Sequence, residues 1–153
     1  MAAQVDGTSI GSRSDGGQRS PMELEADLES LDALVDFVLG EFQGSNPPSD
    51  LAQDIRLVLE EVFTNIALYA YPDSRGSVQV ACHVRDNGRL CVEFRDTGIP
   101  FDPTKFMPSD LDQDFAEREI GGLGIHLVRQ LAGEIHYDRI GEWNVLLIVF
   151  NTP

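Results

Sequence analysis

SVQVACHVRDNGRLCVEFRD, residues 77–96, holds two alternating apolar runs around the turn signal Asp86-Asn87-Gly88. Alternation with a period of two marks strands with one buried face, so the stretch predicts a hairpin of strands at about 77–85 and 89–95. Val78, Val80, Cys82 and Val84 share one parity, and Leu90, Val92 and Phe94 form the apolar set of the second strand. A two-residue Asn87-Gly88 turn would pair 84 with 91 and send the two sets to opposite faces. A three-residue Asp86-Asn87-Gly88 loop pairs 84 with 90 and unites them, and this is the loop we expect. Cys82 then faces the core and Cys91 faces away, so the two should not form a disulfide. The other face carries His83, Arg85, Glu93 and Arg95 and reads as polar.

One apolar sheet face needs a covering layer, and the flanking sequence supplies it. Upstream, Met22 to Ala26 alternates apolar and acidic residues, the pattern of a short edge strand. Asp27 can cap a helix carrying Leu28, Leu31, Leu34, Val35, Val38, Leu39 and Phe42 at helical spacing, ended by Gly44 to Pro48. Ser49 can cap a second helix with Leu51, Ile55, Val58, Leu59, Val62 and Ile66 on one side, stopped near Pro72. Downstream, residues 96–121 show weak periodicity, many acidic residues and prolines, and a lid is expected at about 102–120. A third helix runs from about Gly122 to Ala132 with Gly133 as its stop, followed by strands at about 134–140 and 143–150 across Gly141-Glu142. The order β-α-α-β-β-lid-α-β-β predicts an α+β two-layer sandwich, a mainly antiparallel sheet with three helices on one face.

The chain of 153 residues has the size of one domain. Residues 1–20 are rich in Gly, Ser and Asp and are expected to form a disordered tail, leaving a single domain over 21–153. No stretch approaches the roughly 18–20 apolar residues of a membrane span, so a soluble, cytoplasmic protein with no membrane partner is expected. The formal net charge is -15, from 26 acidic against 11 basic residues. Direct nucleic-acid binding is not expected, because neutralising phosphates requires a basic face. An anionic ligand would need a divalent cation or backbone N–H groups to offset its charge.

Three segments could carry chemistry. In the second helix, Glu61 and Asn65 are four residues apart, about 6 Å along the axis and on the same side. An amide oxygen there can ligate Mg²⁺, and a carboxylate one turn earlier can take a proton from a nucleophile; a solvated Glu–Asn pair is the plain alternative. At the end of the hairpin, Asp96 can accept from an exocyclic amine while Gly98 permits close backbone approach; an ordinary Asp-x-Gly turn reads the same way. Gly121-Gly122-Leu123-Gly124-Ile125 opens the third helix, where free N–H groups can hold phosphates, although a hinge or a packing point would use the same glycines. His83, His126 and His136 have no metal-ligand spacing.

The order Glu61…Asn65, Asp96-x-Gly98, Gly122-x-Gly124 resembles the nucleotide boxes of the GHKL ATPases. It resembles most the anti-sigma-factor serine/threonine kinases, whose compact members read Glu-x-x-x-Asn, Asp-x-Gly-x-x-Phe-Asp and Gly-Gly-x-Gly in that order. The likeness extends from about residue 22 to 151 and includes Ala70-Tyr71-Pro72 and the Gly-x-x-Asn-Val-Leu of 141–146. It implies a Bergerat-type ATP-binding fold in which Asn65 ligates Mg²⁺, Glu61 is the general base, and Asp96 holds the adenine amine. Gly98 would line the base pocket, and Gly122 and Gly124 would wrap the phosphates of ATP. Asn144 stands where many relatives carry a threonine that helps bind adenine through water, and Tyr69 where many carry histidine. Lys105 and Arg118 of the lid could meet phosphate charge. The implied activity is phosphorylation of a STAS-type anti-anti-sigma protein, with a sigma factor as a further partner; the alternative is a nucleotide-dependent partner-switching module without kinase activity. Relatives commonly dimerise, and the edge strand or first helix could serve a homodimer.

Overall fold

Val84 stands opposite Leu90 in the hairpin, the register that a three-residue loop produces. The computed structural model describes residues 20–42, 47–105 and 122–151. Strands β2 (Ser77–Val84) and β3 (Leu90–Asp96) close through Arg85 N–H to Arg89 O at 2.9 Å. Gly88 closes the turn with φ 81, in the left-handed region that favours a residue without Cβ. The Asn87 side chain accepts from Arg89 N–H at 3.0 Å.

The sheet has five strands in the order β1-β2-β3-β5-β4, with every neighbouring pair antiparallel. β1 (Met22–Glu25) is an edge strand, as its alternation of apolar and acidic residues predicts. β4 (Glu134–Ile140) and β5 (Trp143–Val149) form the second hairpin, turning at Gly141 with φ 60. β5 lies between β3 and β4, which sets Asn144 directly opposite Asp96.

Three helices cover one face. α1 (Leu31–Leu39) is preceded by a 3₁₀ turn, Leu28–Ser30, whose first N–H groups are served by Asp27: its carboxylate accepts from Ser30 N–H at 3.1 Å. α1 ends at Leu39, earlier than the apolar spacing out to Phe42 suggests. Phe42 still packs against the core from beyond the helix. α2 (Ser49–Asn65) starts with Ser49 already helical; Pro48 occupies the cap position, and no side-chain cap bond forms. Its pre-set φ suits the start of a helix without a capping hydroxyl. α3 spans Gly122–Leu131. Gly133 does not adopt positive φ after α3; a Cβ there would run into the Asn151 side chain.

Leu34, Val35 and Val38 of α1, Ile55, Leu59 and Phe63 of α2, and Val128 of α3 pack on Val80, Cys82, Val92, Phe94, Leu146 and Ile148 of the sheet. Val80, Cys82, Val92 and Phe94 have the parity predicted for the core. Cys91 sits on the opposite face beside Val149, and the two cysteines form no disulfide. That outer face is drier than its polar residues suggest. Glu93 is only 3% exposed and pairs with Arg95 at 2.5 Å, while Arg89 spans from the hairpin to Glu134 at 2.6 Å and Asn151 at 3.2 Å.

Gly88→Ala should lower unfolding free energy by about 1–2 kcal/mol, because an L-residue must then adopt the left-handed conformation. Denaturant unfolding checks this; unchanged stability would mean the loop does not need that backbone.

Candidate functional site

α2 does not simply stop before Pro72. Beyond Asn65 it widens into a π turn, Ile66–Ala70, a feature often found at functional sites. The turn brings the Ala70 carbonyl to the loop after β3, where it accepts from Ile99 N–H at 2.9 Å. Gly98 makes this approach possible, since a Cβ there would collide with the Ala70 carbonyl and side chain. Tyr71 ties the same two segments: its hydroxyl donates to Ser77 O at 2.6 Å and accepts from Thr97 N–H at 3.0 Å. Gly76 lies so close to the Tyr71 ring that no side chain fits there.

Between the π turn, the end of β3 and the β4–β5 hairpin is an open cleft of about 690 Å³, solvent-facing mouth included. Its walls are mostly apolar: Val62, Ile66, Ala70, Phe101, Pro103 and Leu146. Asn65, Tyr69, Asp96, Tyr137 and Asn144 bring polar groups to it. An apolar slot with a few convergent polar groups suits a flat organic ligand bearing a small number of hydrogen-bonding atoms.

Asp96 is 5% exposed. Its Oδ1 accepts from Gly98 N–H at 2.9 Å and from Asn144 Nδ2 at 2.9 Å. Burial pushes its carboxyl above the usual carboxylate range, while the Asn144 and Gly98 hydrogen bonds and the nearby Arg139 pull it back. Asn144 Nδ2 also donates to Ile99 O at 2.9 Å, and the Asn144 carbonyl accepts from the Tyr137 hydroxyl at 2.5 Å. Arg139 donates to Gly98 O at 2.8 Å. Burial raises the Tyr137 phenol.

Asn65 lines the cleft with its Nδ2 buried and lacking a hydrogen-bond partner among the described residues. Buried amides are nearly always satisfied, so an orphan one facing a cleft marks a ligand position. The two ends of an amide are interchangeable by rotation, so Asn65 can equally offer its oxygen to a hard cation. Glu61 is half-buried one turn earlier, outside the cleft wall. Gly124 is packed against its carboxylate so closely that a Cβ would overlap Glu61 Oε2. The first and third glycine-and-asparagine segments therefore meet: α3, opened by Gly122, sets its first turn on the Glu61 side of α2.

The structure thus gathers Asn65, Asp96 and Asn144 around one cleft and lays Gly124 on Glu61. Gly98 serves as a contact between the loop after β3 and Ala70. The first part of the expected lid is an ordered turn: Asp102 accepts from Thr104 N–H at 2.9 Å, Pro103 is buried, and Lys105 is exposed. The rest, 106–120 with Arg118, lies outside the described residues, as does the expected tail over 1–19. Tyr137, Arg139 and Tyr71 are site residues that motif spacing alone misses. Tyr137 had one signal, a tyrosine at apolar parity in a strand, whose hydroxyl must find a partner when buried. Among the described residues no His, Cys, Asp or Glu cluster could hold a metal, and no helix is long and apolar enough to cross a membrane.

The family model described as histidine kinase-like ATPase domain matches residues 24–150. The serine-protein kinase RsbW of Bacillus cereus (strain AH820) is 28% identical over 90 residues, covering 56% of this chain and 56% of the relative. RsbW of Bacillus thuringiensis (strain Al Hakam) gives the same identity and coverage. The chain thus spans about half the length of these curated relatives. The blue-light activated histidine kinase of Erythrobacter litoralis EL346 superposes with a TM-score of 0.53 at 22% identity, over 80% of this chain and 40% of that one. The histidine kinase AdeS of Acinetobacter baumannii gives 0.50 at 15% identity, over 88% and 69%. At such identities these two share the fold.

Asp96→Asn should raise the melting temperature of the ligand-free protein near neutral pH. Asp96 in the folded state holds its proton more tightly than in the unfolded chain, so its contribution to stability improves as pH falls through its raised value. Asparagine keeps the acceptor for Gly98 and Asn144 without the buried charge. The advantage of the variant should therefore be larger at about pH 7.5 than at about pH 5; equal melting at both would contradict it.

Proposed function

The chain belongs to the histidine kinase-like ATPase domain family, and from that premise we propose that it is an ATP-dependent protein serine/threonine kinase of the anti-sigma-factor type, working in the cytoplasm. The carrying observation is that the Asn65 amide, whose Nδ2 is buried without a partner among the described residues, lines the same apolar cleft as the Asp96 carboxylate. A nucleotide would lie there with its base against Asp96 and its phosphates toward Asn65 and the start of α3. Asp96 would accept from the exocyclic amine of adenine, and Phe101, Ile66 and Leu146 would flank the ring.

Asn65 fits Mg²⁺ because its amide nitrogen has no hydrogen-bond partner among the described residues, which leaves the amide free to turn its oxygen to a cation. Bound there, the cation would neutralise phosphate charge that a chain of net charge -15 otherwise opposes. The N–H groups of the first turn of α3, opened by Gly122 and Gly124, would hold phosphate oxygens. Glu61 would take the proton of a serine or threonine hydroxyl as its oxygen attacks the γ-phosphorus, and ADP leaves with the electrons of the broken P–O bond. The serine-protein kinase name of the sequence relatives favours that acceptor. The substrate would be a STAS-type anti-anti-sigma protein, with a sigma factor as a further partner that the kinase sequesters.

One observation favours a second reading. Glu61 stands outside the cleft wall, pressed against Gly124, and a base so placed would suit a nucleotide-dependent switch that exchanges partners without phosphorylating them. Phosphate transfer from γ-labelled ATP to a STAS-domain partner separates the two. The kinase reading predicts label on the partner, a loss of about a hundredfold or more in Glu61→Ala with ATP still bound, and loss of both binding and transfer in Asn65→Ala. Binding without label in the wild type would establish the switch and overturn the kinase.

A further inference from the structure

Asp96 does not stand alone at the base end of the cleft. Its Oδ1 already accepts from Gly98 N–H and Asn144 Nδ2, each at 2.9 Å, so Oδ2 is the oxygen left for a ligand. The orientation of Asn144 is fixed from both ends. Its Nδ2 faces three acceptors, Asp96 Oδ1, Ile99 O at 2.9 Å and Gly98 O at 3.4 Å, and its carbonyl takes the proton of the Tyr137 hydroxyl at 2.5 Å. A flipped amide would set oxygen against a carboxylate and two carbonyls. Asn144 is thereby spent: it lines the cleft but has no N–H to offer a bound base. The same loop is fastened again by Arg139 on Gly98 O at 2.8 Å and by a backbone hydrogen bond from Phe101 to the Tyr137 phenol.

We propose that Tyr137 and Asn144 form a positioning pair that locks Asp96 as an acceptor-only reader of the base and so makes the cleft select an amine-bearing purine over a keto-bearing one. The proposal rests on the reading of the cleft as a nucleotide site. An exocyclic amine donates to Asp96 Oδ2; a keto oxygen at the same place meets a carboxylate with no donor beside it, and a site built for one hydrogen-bond polarity rejects the other strongly. Without the Tyr137 hydroxyl the Asn144 amide loses its anchor and can swing toward the cleft, presenting N–H groups that a keto purine accepts. Asn144 in this arrangement works through Asp96 and the loop backbone, and does not itself touch the nucleotide.

Two variants test the pair. Tyr137→Phe keeps the ring that lines the cleft and removes only the hydroxyl, and Asn144→Ala removes the amide. Each is checked for folding by thermal unfolding, and Mg²⁺-ATP and Mg²⁺-GTP affinities are measured by competition with a fluorescent nucleotide across pH. Among the described residues the charged group acting on Asp96 is Arg139 of β4, while the Tyr137 phenol, held to Asn144, feels the charges of Asp96, Asp102 and Arg139. ATP should bind roughly three- to tenfold more weakly to Tyr137→Phe, the loss expected for one hydrogen bond, and the preference for ATP over GTP should shrink by a similar factor. In Asn144→Ala the pH below which ATP binding is lost should move upward, because the carboxylate has lost a donor that favours its ionised form. If Asn144→Ala does not fold, the nucleotide preference of Tyr137→Phe decides alone. Folded variants that bind ATP with the wild-type preference and wild-type pH profile would overturn the inference, whatever their absolute affinity. A wild type that binds neither nucleotide would instead overturn the nucleotide site itself.

Discussion

Asp96 and Asn144 face each other across the β3–β5 pair, a carboxylate and an amide 48 residues apart that share one hydrogen bond in a buried place. The Asp96 side of the cleft depends on that register. A slip of one residue in β5 would turn Asn144 to the outer face and carry Leu146 and Ile148 out of the core with it. The apolar alternation that fills the core and the polar pair that shapes the site are thus enforced by the same pairing. The register of β3 itself is set earlier, by the three-residue loop that places Val84 against Leu90.

The cleft is maintained against the tendencies that stabilise the rest of the molecule. A carboxylate held at 5% exposure and an amide nitrogen with no partner both oppose folding, since desolvated polar groups are unfavourable unless satisfied. The core of α1, α2 and the sheet offsets this with side chains such as Phe63, Phe94, Leu59 and Ile148, all buried to about the last per cent. Around Asp96, two hydrogen bonds and Arg139 moderate the penalty. Asn65 Nδ2 finds no such relief among the described residues.

Local sequence carried a large share of this architecture. The elements and their order, the sheet face of Cys82 and of Cys91, the edge position of β1 and the loop of the first hairpin were legible because period-two alternation and turn chemistry are local signals. The pairing of β5 between β3 and β4 was not, because strand order depends on crossovers that no local pattern encodes. The same holds within the site. Asn65 and Asp96 stand out by residue type and spacing, Asn144 only through the family resemblance, and the structure brings the three to one cleft. The π turn, the clamp of Tyr71 on Thr97 and the anchoring of Asn144 by Tyr137 arise from contacts between distant segments. Gly98 and Gly124 show the difference most plainly: spacing marks both as points of close approach, but only the fold shows that they approach Ala70 and Glu61.

The most direct test of a single Mg²⁺-ATP site held by Asn65 and Asp96 is thermal unfolding of the wild type with Mg²⁺-ATP, with Mg²⁺ alone, and with ATP plus a chelator. Ligand at a hundredfold over its dissociation constant adds about 2.7 kcal/mol to stability, a rise of several degrees for a domain of this size. The account predicts that rise only when nucleotide and cation are present together. Unchanged melting under all three conditions at saturating nucleotide would contradict it.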